Sequence, residues 1–137
     1  CVQLTHRKTE DFLVSSLSKH DNDRRHLGLA GSADLWVISD DPDHKGYYRI
    51  KDKQRGEELF ESVQNYKGHY VFLWIPKTVI NDGGASWKIT GAANGDSIFK
   101  NKKFNDCLWS KGKDDWVGAY EGCDHSEYQW RITRVAC

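Results

Sequence analysis

The sequence predicts an all-β domain assembled from three related repeats of about 45 residues. The main observation is a four-residue motif of tryptophan, a variable residue, isoleucine and a small hydroxyl residue, at positions 36–39, 87–90 and 130–133. Because side chains alternate across a strand, the tryptophan and the isoleucine of each motif share one face. Recurrence at this interval is typical of repeat architectures.

A second pattern precedes each tryptophan motif. An apolar residue is followed by a basic turn and then, at the same distance in each copy, by a leucine: Leu4 and Leu13, Ile50 and Leu59, Phe99 and Leu108. Each copy contains one further apolar stretch, at residues 26–30, 70–75 and 116–120. A polar loop at 18–25 and turn formers at 81–84 and 94–95 separate these stretches. Four short strands per repeat are therefore predicted.

One segment also fits a helix. Leu59, Phe60, Val63 and Tyr66 have helical spacing behind two glutamates. The corresponding part of the third repeat is rich in Asn, Asp and Gly, which do not favour a helix. We predict strands in both places.

Three such repeats in 137 residues fit a single closed all-β domain. The predicted architecture is the β-trefoil, with repeats at residues 1–46, 47–95 and 96–137. A three-bladed propeller would be unusually small, and a β-sandwich does not need threefold repetition. The tryptophan and isoleucine of each motif are expected to form shared core layers.

Composition and charge restrict the classes of partner. The chain has 20 basic and 20 acidic residues, so bulk electrostatics give no reason to expect nucleic acid or an anionic membrane. No apolar run approaches the length of a membrane span, and we expect no membrane insertion. The chain starts at Cys1 and lacks methionine, and its even number of cysteines suits an oxidising compartment. We expect a secreted, processed and monomeric protein.

Four cysteines allow three disulfide connectivities. In a closed trefoil the first and last strands are neighbours, which favours Cys1–Cys137, and Cys107–Cys123 lies within one repeat. Neither Cys-x-x-Cys nor His-Glu-x-x-His spacing is present, so no metal and no cofactor is expected.

The threefold Trp-x-Ile pattern resembles that of the ricin-B-type lectins, whose repeats carry a Gln-x-Trp motif. The terminal cysteines, tryptophan content and size are similar to those of the cysteine-and-tryptophan-rich salivary proteins of culicine mosquitoes. That resemblance implies a secreted salivary protein with a ricin-like trefoil and carbohydrate binding. The lectin glutamine is replaced by Asp34, Ala85 and Tyr128, and the lectin acidic position falls on Trp109. The galactose site of the lectins is therefore not carried over.

Sugar recognition needs an aromatic face for the ring and polar groups for the hydroxyls. The third repeat has the richest cluster of both, and the predicted carbohydrate-binding residues are Trp109, Asp114, Asp115, Tyr120 and Glu121. The alternative interpretation places Trp109 and the nearby Trp116 in the core and the acids in solvated loops. Weaker candidates in the second repeat are Tyr66, His69 and Trp74, and those in the first are Asp21, Asn22, Asp23 and His26.

Two other patterns have simpler explanations. Basic residues recur at equivalent positions around 6–8, 51–55 and 100–103, where they form either an anion site or, more simply, solvated strand edges. Asp41-x-Asp43-x-x-Gly46 is a weak match to a calcium loop and is better explained as a turn. No catalytic motif is present, so we expect no enzyme. The two functional hypotheses are binding of host glycans and inhibition of a host protein through the loops.

Overall fold

The computed structural model describes residues 1–65, 68–112 and 116–137. Twelve strands and one short 3-10 helix, Ser126–Tyr128, lie in these ranges. The strands are β1 (Val2–His6), β2 (Phe12–Lys19), β3 (Arg24–Ala30), β4 (Trp36–Asp40), β5 (Tyr48–Asp52), β6 (Glu58–Asn65), β7 (His69–Trp74), β8 (Trp87–Gly91), β9 (Ser97–Asn101), β10 (Cys107–Ser110), β11 (Val117–Tyr120) and β12 (Trp130–Arg134). The predicted all-β class is confirmed, and β6 is a strand rather than a helix.

Six strands form a closed antiparallel ring in the order β1, β12, β9, β8, β5, β4 and back to β1. Within each repeat the motif tryptophan pairs with the first strand at the same place. These pairs are Val2↔Trp36, Tyr48↔Trp87 and Ser97↔Trp130. Each predicted repeat contains four strands and contributes two of them to the ring. The ring therefore has an approximate threefold axis.

The other six strands form three hairpins, β2–β3, β6–β7 and β10–β11. These hairpins pair with each other through β3–β7 and β7–β11. The first hairpin turns within residues 20–23, so its strands extend into the segment predicted as a polar loop at 18–25. Pairing between Lys19 and Arg25 accounts for that difference.

The core lies between the ring and the hairpins. Each motif tryptophan is fully buried and donates its indole N–H to the carbonyl of a buried leucine on the second strand of its repeat. The three bonds are Trp36 to Leu13 at 3.0 Å, Trp87 to Leu59 at 3.1 Å and Trp130 to Leu108 at 3.1 Å. This bond satisfies the one donor of the indole without water, so a polar atom is tolerated in the core.

The motif isoleucines differ in environment from the tryptophans. Ile38, Ile89 and Ile132 are only partly buried and pack against the edge of the core. They line a cavity of about 600 Å³ with Val2 and Tyr48. The tryptophans thus form the buried layer, and the isoleucines form part of the wall of a cavity beside it.

Both predicted disulfides are present, Cys1–Cys137 and Cys107–Cys123. The first joins the two ends of the chain at the seam where β1 pairs with β12. The second ties the start of β10 to the segment that follows β11. Within the described residues, no helix has the length and apolar character needed to cross a bilayer.

Candidate functional site

A shallow pocket forms where the hairpins of the second and third repeats meet. Its volume is about 210 Å³. We call it the Tyr120 pocket, and its lining residues are Asn65, Gly68, His69, Asp106, Ala119, Tyr120 and Glu121. Backbone pairing of Ala119 with His69 joins β11 to β7 and sets its floor.

Tyr120 supplies the exposed aromatic face of the pocket. It ends β11, pairs with Cys107 on β10 and is 42% exposed. Its ring lies 5.9 Å from that of Trp109, with an interplanar angle of 33°. Gly68, with φ of +96°, lies against the Tyr120 ring and leaves no room there for a side chain. The ring is therefore supported from within and open to solvent outside.

Trp109 is a support for Tyr120 rather than an exposed platform. It is 6% exposed, and its other neighbour, the Trp116 ring, lies 5.9 Å away in an edge-on arrangement. Its indole N–H donates to a carboxylate oxygen of Glu127 at 3.3 Å. This burial agrees with the interpretation of Trp109 as a core residue.

The segment after Tyr120 is fixed at both ends. Glu121 is exposed, and its carbonyl accepts a hydrogen bond from the buried Tyr128 hydroxyl. Burial, followed by nearby acidic groups, raises the pKa of Tyr128 to about 12, so this hydroxyl stays a donor. The Cys107–Cys123 disulfide holds the far end. Glu121 thus lines the pocket next to Tyr120 on a restrained backbone.

The inner wall of the pocket is an acidic cluster around one histidine. His69 Nδ1 lies 2.6 Å from Glu61 Oε2 and 3.3 Å from Asp106 Oδ2. Glu61 is 3% exposed, whereas His69 and Asp106 face the pocket. Burial, and then the neighbouring Asp106, raises the pKa of Glu61 to about 10. At neutral pH the Glu61 carboxyl therefore keeps its proton, and it shares His69 Nδ1 with the carboxyl of Asp106.

Part of this site is predicted by the amino-acid sequence. Tyr120, Glu121 and His69 lie in the pocket, whereas Asp114, Asp115 and Tyr66 fall outside the described residues. Glu61 and Asp106 are functional residues that the sequence did not predict. The available signal for Glu61 was that the corresponding position, two residues after the core leucine, is serine in the other two repeats.

The other candidates are engaged in structural contacts. Asp21 accepts hydrogen bonds from Arg24, and the half-buried His26 packs against Phe72. The recurrent basic positions are mostly paired, as in Lys8 with Glu127 at 2.8 Å and Lys103 with Asp82 at 2.7 Å. Asp41 of the calcium-like segment is buried in an ion pair with Arg49 at 3.3 Å, which supports the interpretation as a turn.

Fold and pocket together define a class of small, threefold all-β proteins that are closed by a terminal disulfide. No protein-family model matches the sequence, and no curated protein matches it. Among solved structures, a salivary protein of Culex quinquefasciatus from the Cysteine and Tryptophan-Rich (CWRC) family is 47% identical, with a TM-score of 0.93. The match covers 98% of this chain and 93% of that protein. The chain therefore belongs to the CWRC family.

Two more distant structures share the fold alone. A designed threefold symmetric protein, ThreeFoil, is 15% identical with a TM-score of 0.81, and the match covers 98% of each chain. SeviL, in a structure with asialo-GM1 saccharide, is 16% identical with a TM-score of 0.68, and the match covers 98% of this chain and 97% of SeviL.

Proposed function

We propose that this CWRC protein is a secreted salivary β-trefoil of the ricin-B kind that binds host glycans through the Tyr120 pocket. The observation that carries the proposal is the exposed Tyr120 ring beside carboxylate, amide and imidazole groups. A pyranose has one apolar C–H face and a rim of hydroxyls, and such a pocket complements both.

Recognition would combine stacking with charge-assisted hydrogen bonds. The sugar ring stacks on Tyr120, while Glu121 and Asp106 accept hydrogen bonds from its hydroxyls. Asn65 adds both a donor and an acceptor at the rim. We propose Asp114 and Asp115, which lie outside the described residues, as further acceptors.

An open pocket of about 210 Å³ contacts one or two sugar units, so affinity for a single sugar would be weak. Function then depends on dense glycans on a host cell or glycoprotein, where many weak contacts act together. The SeviL structure illustrates that this fold can carry a saccharide. We propose that the protein is monomeric and non-enzymatic, and that its partner is a carbohydrate or a host glycoprotein.

A glycan-array measurement with the intact, disulfide-bonded protein tests the proposal. Tyr120→Ala and Glu121→Gln are each expected to reduce binding of the recognised glycan at least tenfold. Tyr47→Ala serves as a matched control, because Tyr47 is a partly exposed tyrosine outside the pocket. Glycan binding that survives Tyr120→Ala would place the site elsewhere, and a blank array for the wild type would reject the lectin function.

Exposed apolar side chains on two hairpins favour a second candidate function. Leu17 on β2 and Val63 on β6 are 87% and 70% exposed, and each lies four residues after the core leucine of its repeat. Apolar side chains at equivalent places on neighbouring hairpins are suited to contact another protein. The second candidate is inhibition of a host haemostatic or immune factor.

Clotting and complement assays separate the two functions. A double variant, Leu17→Asp with Val63→Asp, is expected to abolish inhibition if this surface contacts a host factor, while glycan binding stays intact. Tyr120→Ala is expected to show the reverse pattern if the pocket binds glycans. No inhibition by the wild-type protein in either assay would remove the second candidate.

A further inference from the structure

The acidic cluster of the Tyr120 pocket occupies a place that the threefold symmetry repeats elsewhere. Glu57 and Asp106 each lie two residues before a core leucine. The backbone carbonyl of each accepts an equivalent hydrogen bond from the end of the preceding strand, from Asp52 N at 2.9 Å and from Asn101 N at 2.8 Å. Arg25 and His69 each lie four residues before the leucine that pairs with the core leucine of their hairpin. The Arg25–Glu57 and His69–Asp106 pairs are therefore equivalent contacts between successive repeats.

The first of these contacts balances its own charge. Arg25 Nε donates to the two carboxylate oxygens of Glu57 at 2.6 and 3.2 Å. Its guanidinium also donates to the carbonyls of Ser16 and Leu17. The position two residues after the core leucine holds Ser15 here. One permanent cation thus faces one buried carboxylate.

The second contact has an excess of acceptors. His69 replaces the arginine, and Glu61 replaces the serine, so two carboxyls converge on one imidazole nitrogen. Glu61 Oε1 is buried and accepts no hydrogen bond from any described residue. Buried carboxyls without enough donors need a compensating positive charge, as a proton or as a metal ion. The fold does not require an acid at 61, since both other repeats have serine there.

We propose that Glu61, His69 and Asp106 bind a divalent transition-metal cation of the Zn²⁺ class. One imidazole and two carboxylates are ligands that Zn²⁺ accepts, and three protein ligands leave a fourth position open. That position faces the pocket, because His69 and Asp106 both line it. The metal site shares His69 and Asp106 with the Tyr120 pocket, but Zn²⁺ binding can be measured without any glycan and does not require the glycan-binding function.

Distances in the cluster suit this cation. The three ligand atoms lie within 4.8 Å of one another. Ligand atoms of a tetrahedral zinc site stand about 3.3–3.6 Å apart for bonds of about 2.0–2.2 Å. The 3.3 Å separation between His69 Nδ1 and Asp106 Oδ2 already has that value. Glu61 Oε2, at 2.6 Å from Nδ1, must move outward, and the buried Oε1 has no hydrogen-bond partner among the described residues that would hold the carboxylate in place.

Calorimetric titration of untagged, chelator-treated protein with ZnCl₂ tests the site, with both disulfides intact so that no thiol competes. We expect one equivalent of Zn²⁺ with a dissociation constant in the micromolar range or below. His69→Gln and Asp106→Asn are each expected to weaken binding at least tenfold. Ca²⁺ is expected to bind at least a hundredfold more weakly, because the imidazole ligand does not suit it.

Two controls keep the result specific. His125→Gln removes an exposed histidine outside the cluster and should leave the affinity unchanged. Co²⁺ should give the visible absorption of a four-coordinate site in the wild type and lose it in His69→Gln. Since Asp106 lies at the surface of the pocket, Asp106→Asn reports on binding even if a change at the buried Glu61 disturbs folding. Absence of Zn²⁺ binding at millimolar concentration, or an unchanged wild-type affinity in both His69→Gln and Asp106→Asn, would overturn the proposal.

Discussion

Gly68 lies directly beneath the ring of Tyr120. A Cβ atom at position 68 would stand 2.5 Å from Tyr120 Cδ2 and 2.6 Å from the Ala119 carbonyl oxygen. No real side chain fits at those distances, and φ of +96° at Gly68 adds backbone strain for any other residue. Glycine at position 68 therefore allows the aromatic ring of the pocket to lie where it does.

Gly68→Ala is expected to displace Tyr120 and lower the free energy of unfolding by about 2–4 kcal/mol, as left-handed strain and a backbone clash combine. Gly95→Ala is the matched control, because Gly95 has φ of +86° with no atom within 4 Å of its would-be Cβ. We expect a loss of only about 1 kcal/mol there. Urea denaturation measures both. Equal losses would mean that the Tyr120 contact adds nothing to stability.

The indole hydrogen bonds of the core lead to a second prediction. Trp87→Phe removes the bond to the Leu59 carbonyl in a fully buried site and is expected to cost about 2–4 kcal/mol. Trp74→Phe is a control, since Trp74 donates to Thr78 at 3.1 Å near the surface, and about 1 kcal/mol or less is expected. Chemical denaturation followed by far-UV circular dichroism compares them. A similar cost for both variants would show that burial of the bond is unimportant.

Much of the fold could be predicted because the sequence motifs that specify it are local and occur three times. The alternation in each Trp-x-Ile motif predicts a strand, and threefold recurrence predicts a closed assembly in which Cys1 meets Cys137. The residues at which strands end could be predicted less well from the sequence. The pairing of Lys19 with Arg25 depends on the neighbouring hairpin as well as on the local sequence, so polar residues there resembled a loop.

The site could be predicted only where its residues are close in sequence. Tyr120 and Glu121 are adjacent and follow an apolar strand, which identified them. Glu61, His69 and Asp106 come from β6, β7 and the turn before β10, and pairing between hairpins is what brings them together. No spacing rule connects such residues, and the contact of Gly68 with Tyr120 was hidden for the same reason.

The two disulfides are expected to differ in effect. Removing Cys1–Cys137, which spans 136 residues, should cost about 4–5 kcal/mol, and removing Cys107–Cys123, which spans 16, about 3 kcal/mol in the chain-entropy treatment. Paired Cys→Ala variants and guanidinium denaturation measure these costs. Only the variant that lacks Cys107–Cys123 should also weaken glycan binding in the Tyr120 pocket, because that bridge restrains the segment that contains Glu121. Loss of binding in the first variant alone would contradict this assignment.

Acid denaturation is expected to depend on Asp41. Burial opposes its ionisation, but hydrogen bonds from Ser86, from the Asp43 amide and from His44 outweigh that effect. Together with the Arg49 guanidinium, they hold the pKa of Asp41 well below its ordinary value of 3.8. The unfolded chain therefore takes up this proton at a higher pH than the folded chain, so protonation favours unfolding.

The stabilisation from Asp41 is present above about pH 4 and is lost as the pH falls below the ordinary carboxyl pKa. Asp41→Asn is expected to lower the free energy of unfolding at pH 7 by about 3 kcal/mol and to flatten its decline in acid. Asp43→Asn, whose carboxylate is 49% exposed, should keep the wild-type slope. Urea midpoints measured between about pH 2 and about pH 7 give the slopes. If Asp41→Asn loses stability in acid as steeply as the wild type, a different carboxyl governs the transition, and the contacts around Asp41 stabilise the fold without making it pH-dependent.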